Sequence, residues 1–165
     1  METITYQTMD KSDWGDGAWQ DEPDKKQWKD KETGLPCLIV RNRFGGLCGY
    51  VGVERRHPFF EKNYADIDFD VHGGLTFSGP CSEGDEKNSI CHIPGEGESD
   101  HVWWFGFDCA HGSDLLPAMV SREREMMQHL SFQPLPPPYR DLAYVTAECE
   151  FLAQKLKALV DLPDG

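Results

Sequence analysis

The sequence predicts an α+β domain, a mainly antiparallel β-sheet packed by a C-terminal amphipathic α-helix. Three observations carry this expectation: a glycine-centred reversal at Phe44-Gly45-Gly46, a strand-length aromatic run beginning at Val102, and an apolar stripe that recurs from Leu142 to Leu159. Strand signals concentrate in the middle of the chain and a long helix follows, without the regular alternation of strand and helix that a parallel sheet requires.

Residues 1–34 mix Asp, Lys and Gly with Trp14, Trp19 and Trp28. Such a stretch is too aromatic for a free tail and too polar for a core, and it predicts a peripheral segment pinned by its indoles. Residues 35–42 and 47–54 carry β-branched and aromatic residues on either side of the glycine reversal, the pattern of a hairpin. A short helical turn is expected over 59–63. Segments 65–71 and 75–78 read as further strands around a turn or bulge at His72-Gly73-Gly74. The stretch 81–100 is rich in Gly, Glu, Ser and Asp and has no apolar period, so it predicts a surface loop. Val102-Trp103-Trp104-Phe105-Gly106-Phe107 has the aromatic density of a buried central strand. Ser113 and Asp114 are placed to cap a short helix, and 122–130 reads as another before the break at Pro134, Pro136, Pro137 and Pro138. In the predicted helix 139–161, Leu142, Val145, Cys149, Leu152, Leu156 and Leu159 share one face. That face suits either the sheet or a homodimer seam.

A chain of 165 residues is the usual size of one domain with one core. Sixteen basic residues against 29 acidic ones give a charge of -13, which disfavours generic DNA binding because no broad cationic footprint is present. The acidic surplus suits solubility, a basic partner, or imitation of a nucleic-acid surface. No apolar run approaches the roughly 20 residues of a membrane span, and residues 1–10 lack a basic-then-apolar signal, so no membrane association and a cytoplasmic setting are expected. The six cysteines include no CxxC pair, and most are expected to be reduced and buried. Walker, Rossmann, HExxH and Gly-x-Ser-x-Gly motifs are all absent.

Two polar segments are candidates for chemistry. Asp66, Asp68, Asp70 and His72 alternate with Ala65, Ile67, Phe69 and Val71, so an extended backbone projects the polar groups from one face. Asp108, His111 and Asp114 follow directly on the aromatic strand, where rigid scaffolds often present functional side chains. If the two segments meet, Asp70, His72, Asp108 and His111 line one cavity, with Asp68 or Asp114 in support. Such a group could hold a divalent metal as cofactor or perform acid–base work. A half-solvated strand, a turn-forming Asp108 and a capping Asp114 would produce the same residues without any site. Arg55 and Arg56 supply planar donor forks for a phosphate or carboxylate. Cys109 is either a nucleophile or a buried thiol. Cys81, Cys91, His92 and His101 are zinc-compatible in type but lack close ligand pairs, which leaves a zinc or disulfide role open.

The segments Glu22-Pro23-Asp24, Leu35-Pro36-Cys37-Leu38-Ile39-Val40-Arg41, Leu47-Cys48-Gly49-Tyr50-Val51-Gly52-Val53, Asp70-Val71-His72-Gly73-Gly74-Leu75-Thr76 and Trp103-Trp104-Phe105-Gly106-Phe107-Asp108-Cys109-Ala110-His111 resemble those of a family of small uncharacterised proteins from bacteriophage and prophage genomes. The resemblance spans most of the chain and implies a phage-encoded origin without assigning chemistry. A small phage protein often acts on its host, so by association the expectation is a host-interaction or counter-defence protein. It would bind a host defence protein or a small anionic ligand such as a nucleotide signal, with Trp103 or Trp104 stacking on a base. The alternative is a metal-dependent phosphoesterase that uses the Asp/His group.

Overall fold

The computed structural model describes residues 1–82, 84–132 and 135–161, so Glu83 of the predicted loop and Pro134 of the proline break lie outside the described residues. One sheet is built from β1 (Ile4–Tyr6), β2 (Lys25–Lys29), β3 (Pro36–Arg41), β4 (Leu47–Glu54), β5 (Phe77–Pro80) and β6 (Val102–Asp108). The spatial order is β1-β2-β3-β4-β6-β5, and every pairing is antiparallel. Two helices follow, α1 (Val120–Met127) and α2 (Leu142–Val160). None of the described helices is long and apolar enough to cross a membrane.

The period of two decides which side chains meet α2. Cys37, Ile39, Val51, Val53, Phe105 and Phe107 point to the helix face of the sheet and join Val145, Cys149, Leu152, Ala153 and Leu156 in one core. The predicted stripe is therefore spent on the sheet and is not free to form a homodimer seam. Each fully buried leucine on it contributes on the order of 2 kcal/mol. Close approach depends on Gly49, where an added Cβ would sit 2.7 Å from the Cys149 sulfur and 2.5 Å from the Phe107 ring. Asp141 starts the helix, its carboxylate accepting from the Tyr144 N–H at 2.8 Å.

The opposite face is buried as well. Leu38, Cys48, Tyr50, Val102 and Trp104 form a second cluster there, with Phe77 and Ile90 packed against it. The cover comes from the 81–100 segment, which lies against the sheet instead of forming a purely external loop. Gln27 on β2 fixes it, with its amide NH₂ donating to Ile93 O at 3.2 Å and its carbonyl accepting from Ile93 N at 2.8 Å.

Two local expectations are corrected. Residues 1–34 are more than a pinned periphery, because they contribute β1 and β2 while Trp14, Trp19 and Trp28 are buried. The pattern of β2, Lys-Lys-Gln-Trp-Lys, hides its strand character because Lys25 and Gln27 are buried polar residues held by the covering segment. The strand expected over 65–71 is also absent: Tyr64–Asp66 is a 3₁₀ turn, and 67–75 runs over the helix face before Thr76 N joins Gly106 O of β6 at 2.8 Å. Its alternation survives, since Ile67, Phe69 and Val71 pack on the core while Asp66, Asp68 and Asp70 are exposed. Apolar burial alone accounts for the pattern.

A buried ionic network ties the N-terminal segment to the helix. Asp24 accepts from Arg41 Nε at 2.8 Å, from Thr8 N at 2.8 Å and from Met9 N at 2.9 Å, and it pairs with Lys11 Nζ at 2.8 Å. Arg41 also donates to Tyr139 Oη and Gly45 O, both at 2.8 Å. Glu22 accepts from Tyr139 Oη and from the Leu142 N–H, the first backbone donor of α2. Two cations and two carboxylates thus balance at the junction of β2, β3 and α2.

Candidate functional site

The connection after β4 carries His72 across the helix face and deposits it beside the turn that follows β6. Both turns are set by local chemistry. Val71 O accepts from Gly74 N at 2.8 Å, and Gly73 and Gly74 take the positive φ angles, +67° and +79°, that such a reversal needs. His111 O accepts from Asp114 N at 2.9 Å and folds Asp114 back inward.

Asp114 is the centre of the arrangement, with a side chain that is 0% exposed. His72 Nε2 lies 2.9 Å from each of its carboxylate oxygens, Arg140 Nε donates at 3.1 Å, and the His111 backbone N–H donates at 3.1 Å. The His111 ring adds Nδ1 at 3.2 Å. Burial would push the Asp114 carboxyl up, but the bonds from His72, from the His111 N–H and from Arg140 outweigh it and hold the group below its ordinary value. On its far side His72 Nδ1 meets the Tyr144 hydroxyl at 2.7 Å, and the Arg140 guanidinium lies over the Tyr144 ring with its carbon 4.8 Å from the centroid. The two imidazoles stand 5.5 Å apart, centre to centre.

The structure therefore brings together His72, His111 and Asp114, and it places the expected residues unequally. Asp108 is at the edge, 3.7 Å from His111 Nδ1. Asp68 and Asp70 point to solvent and stand outside the cluster, because the in–out alternation that buries Phe69 and Val71 turns them away from it. Arg55 and Arg56 are exposed in the turn after β4. The adjacent His57 bonds Leu156 O near the far end of α2, 12 residues and therefore about 18 Å along the helix from Tyr144. The expected cavity shared by Asp70, His72, Asp108 and His111 is not one of the two cavities described: one of about 520 Å³ lies between Trp14, Trp19 and α1, and one of about 230 Å³ lies beside Cys81 and Cys91. Asp114 does not cap a helix; it organises the cluster.

Arg140 and Tyr144 were not anticipated. Tyr144 falls beside the apolar stripe, and Arg140 precedes the helix N-cap. A cation at a helix N-terminus opposes the helix dipole, a local inconsistency that pointed to an outside carboxylate. Other expectations resolve structurally. Cys109 is 2% exposed and burial pushes its thiol far up, so it is a core residue and not a nucleophile. Trp104 is fully buried and presents no face for base stacking, and half-buried Trp103 donates its indole N–H to Lys62 O at 3.0 Å. The proposed zinc group does not assemble: Cys81 and Cys91 form a disulfide, His92 packs on Trp104, and His101 is exposed.

Among the described residues, His72, His111 and Asp114 form the one group whose ligand atoms suit a metal ion, all lying within 4.8 Å of one another. Gly73 makes room for this packing, since a Cβ there would fall 2.2 Å from the His111 ring. Gly73→Ala is expected to displace His111 and destabilise the fold by about 1–3 kcal/mol, combining overpacking with positive-φ strain. Urea unfolding would measure the loss, and the His111 ring resonances in NMR should shift while those of His57 stay in place. Compared with protein-family models, curated proteins and solved structures, the chain finds no match.

Proposed function

We propose that this chain is a phage-type host-interaction protein that binds a small anionic ligand at the Asp114-centred cluster. One observation carries the site: a fully buried carboxylate holds His72, His111 and Arg140 together while two of those donors remain accessible, Arg140 at 26% and His111 at 34% side-chain exposure. Arg140 spends Nε on Asp114, and its terminal nitrogens bond no other described residue, a forked geometry suited to phosphate or carboxylate. The phage-family resemblance supports the host-interaction part of the reading. Exposed apolar side chains over 126–135 add support for a protein partner, because Met126, Met127, Leu130, Phe132 and Leu135 account for most of the large exposed hydrophobic residues described.

A metal-dependent phosphoesterase is the second reading, favoured by the His72, His111 and Asp114 ligand set. Arg140 counts against it, since a guanidinium bonded to the same carboxylate competes with a cation. Calorimetric titration of the untagged protein with inorganic phosphate and with nucleoside monophosphates separates the readings when paired with elemental analysis. The anion reading expects saturable binding that Arg140→Gln weakens at least tenfold, in protein free of transition metal. Stoichiometric metal together with phosphate release from a nucleotide would favour the phosphoesterase. Absence of both binding and metal would remove the site from consideration.

A further inference from the structure

The segment between β5 and β6 lies over the Trp104 face of the sheet with little regular structure of its own. It has no helix or strand over the described part of 81–101, and its Gly, Ser, Glu and Asp content offers few apolar contacts. Its attachments include Ile90 on the Trp104 cluster, His92 edge-on to Trp104 at 5.3 Å, the Gln27 amide on Ile93, the Lys25 ammonium on Glu86 O, the Tyr6 hydroxyl on the Glu86 carboxylate at 2.6 Å, and Glu98 on the N-terminal ammonium. Within it, the Cys81–Cys91 disulfide closes a short ring, with Cα atoms 4.7 Å apart and ten residues of separation.

We infer that the Cys81–Cys91 disulfide is a redox latch that holds the 81–93 segment closed over the Trp104 face of the sheet. The chemistry requires a thiol partner. A dithiol reductant gives two electrons and two protons to the S–S bond, Cys81 and Cys91 become thiols, and the reductant closes to its own disulfide. Three features place this chemistry here. Both cysteines are half-buried and border the cavity of about 230 Å³, alongside Ser82, Glu86, Ser89 and His92, so a small reductant can reach them. The other four cysteines, Cys37, Cys48, Cys109 and Cys149, are all buried in the two cores, which withholds them from exchange with this bond. Finally, the Trp104 indole N–H is a buried donor without a partner among the described residues, and opening the cover supplies it with water. The closed state thus carries an unsatisfied group that the open state satisfies, and cutting the covalent ring removes the restraint on that change. In a reducing compartment the segment would rest open, and in an oxidising one closed.

Hydrogen exchange on the full chain, with and without dithiothreitol, tests the latch. A thiol titration under denaturing conditions should count four thiols before reduction and six after it. Reduction should then speed exchange at Ile90 and Ile93 at least tenfold and shift tryptophan emission to the red, while β4 and β6 amides keep their protection. The Cys81→Ser, Cys91→Ser double variant should reproduce the reduced state without reductant. Six thiols before reduction would overturn the inference, because no bond would exist. So would unchanged exchange over 82–93 after reduction. Loss of protection across β4 and β6 would overturn it too, since the bond would then be a staple of the whole fold.

Discussion

Arg41→Ala is expected to destabilise the fold by about 3–5 kcal/mol, because it removes one of the two cations that balance the buried Asp24 and Glu22 carboxylates. The Arg41 side chain is 0% exposed and donates to Asp24, Glu22, Gly45 O, Pro23 O and Tyr139 Oη, so its removal takes a donor from two carboxylates, two backbone carbonyls and the tyrosine that serves Glu22. Since Glu22 also accepts the first N–H of α2, the loss should reach the helix start. For a chain of this size the melting temperature should fall by roughly 10 °C. The same network sets an acid limit. Burial would push the Asp24 carboxyl up, but the Lys11 ammonium, the Thr8 and Met9 N–H groups and Arg41 outweigh it and hold the carboxyl below its ordinary value. A carboxyl lowered in the folded state stabilises fully above its unfolded value of about 4, and that contribution disappears as pH falls through the folded value. Urea unfolding between pH 7 and 3 should therefore show wild-type stability dropping below about pH 4, with a shallower drop in Arg41→Ala.

Asp114→Ala is the second large change, about 3 kcal/mol, and the one that separates site from scaffold. It removes the acceptor shared by His72, Arg140 and the His111 N–H, so the donors lose their common focus. Asp114→Asn keeps the shape and one acceptor oxygen, and should cost about 1–2 kcal/mol. In both variants phosphate binding should weaken at least tenfold, because Arg140 and His111 are no longer held in register. Arg140→Gln, more exposed, should weaken binding with less than about 1 kcal/mol lost in stability. If Asp114→Ala binds phosphate as the wild type does, the cluster is structural and the ligand site lies elsewhere. Equilibrium unfolding and calorimetry on the three variants give both readouts.

The parts of this molecule that follow from side-chain period were legible in the sequence. The 47–54 strand, the aromatic strand at 102–108 and the apolar face of α2 each bury residues at the spacing that the backbone imposes, so local pattern and final position agree. His111 and Asp114 were also legible as a group, since a turn directly after a buried strand holds its residues in a narrow space. Where partners come from distant segments, pattern failed. Lys25 and Gln27 look like surface residues until the 81–93 segment supplies their acceptors and donors. Asp70 shares its alternation with His72, yet one reverses into the cluster and the other stays in solvent, because the Val71–Gly74 turn changes direction between them. Arg140 and Tyr144 meet His72 and Asp114 across 26 to 72 positions of sequence. Burial of apolar side chains is decided residue by residue against water, so the sequence alone determined the α+β class, the central strands and the helix face. Hydrogen bonds and ion pairs need a partner at about 3 Å, and only the tertiary structure decided which polar groups have one.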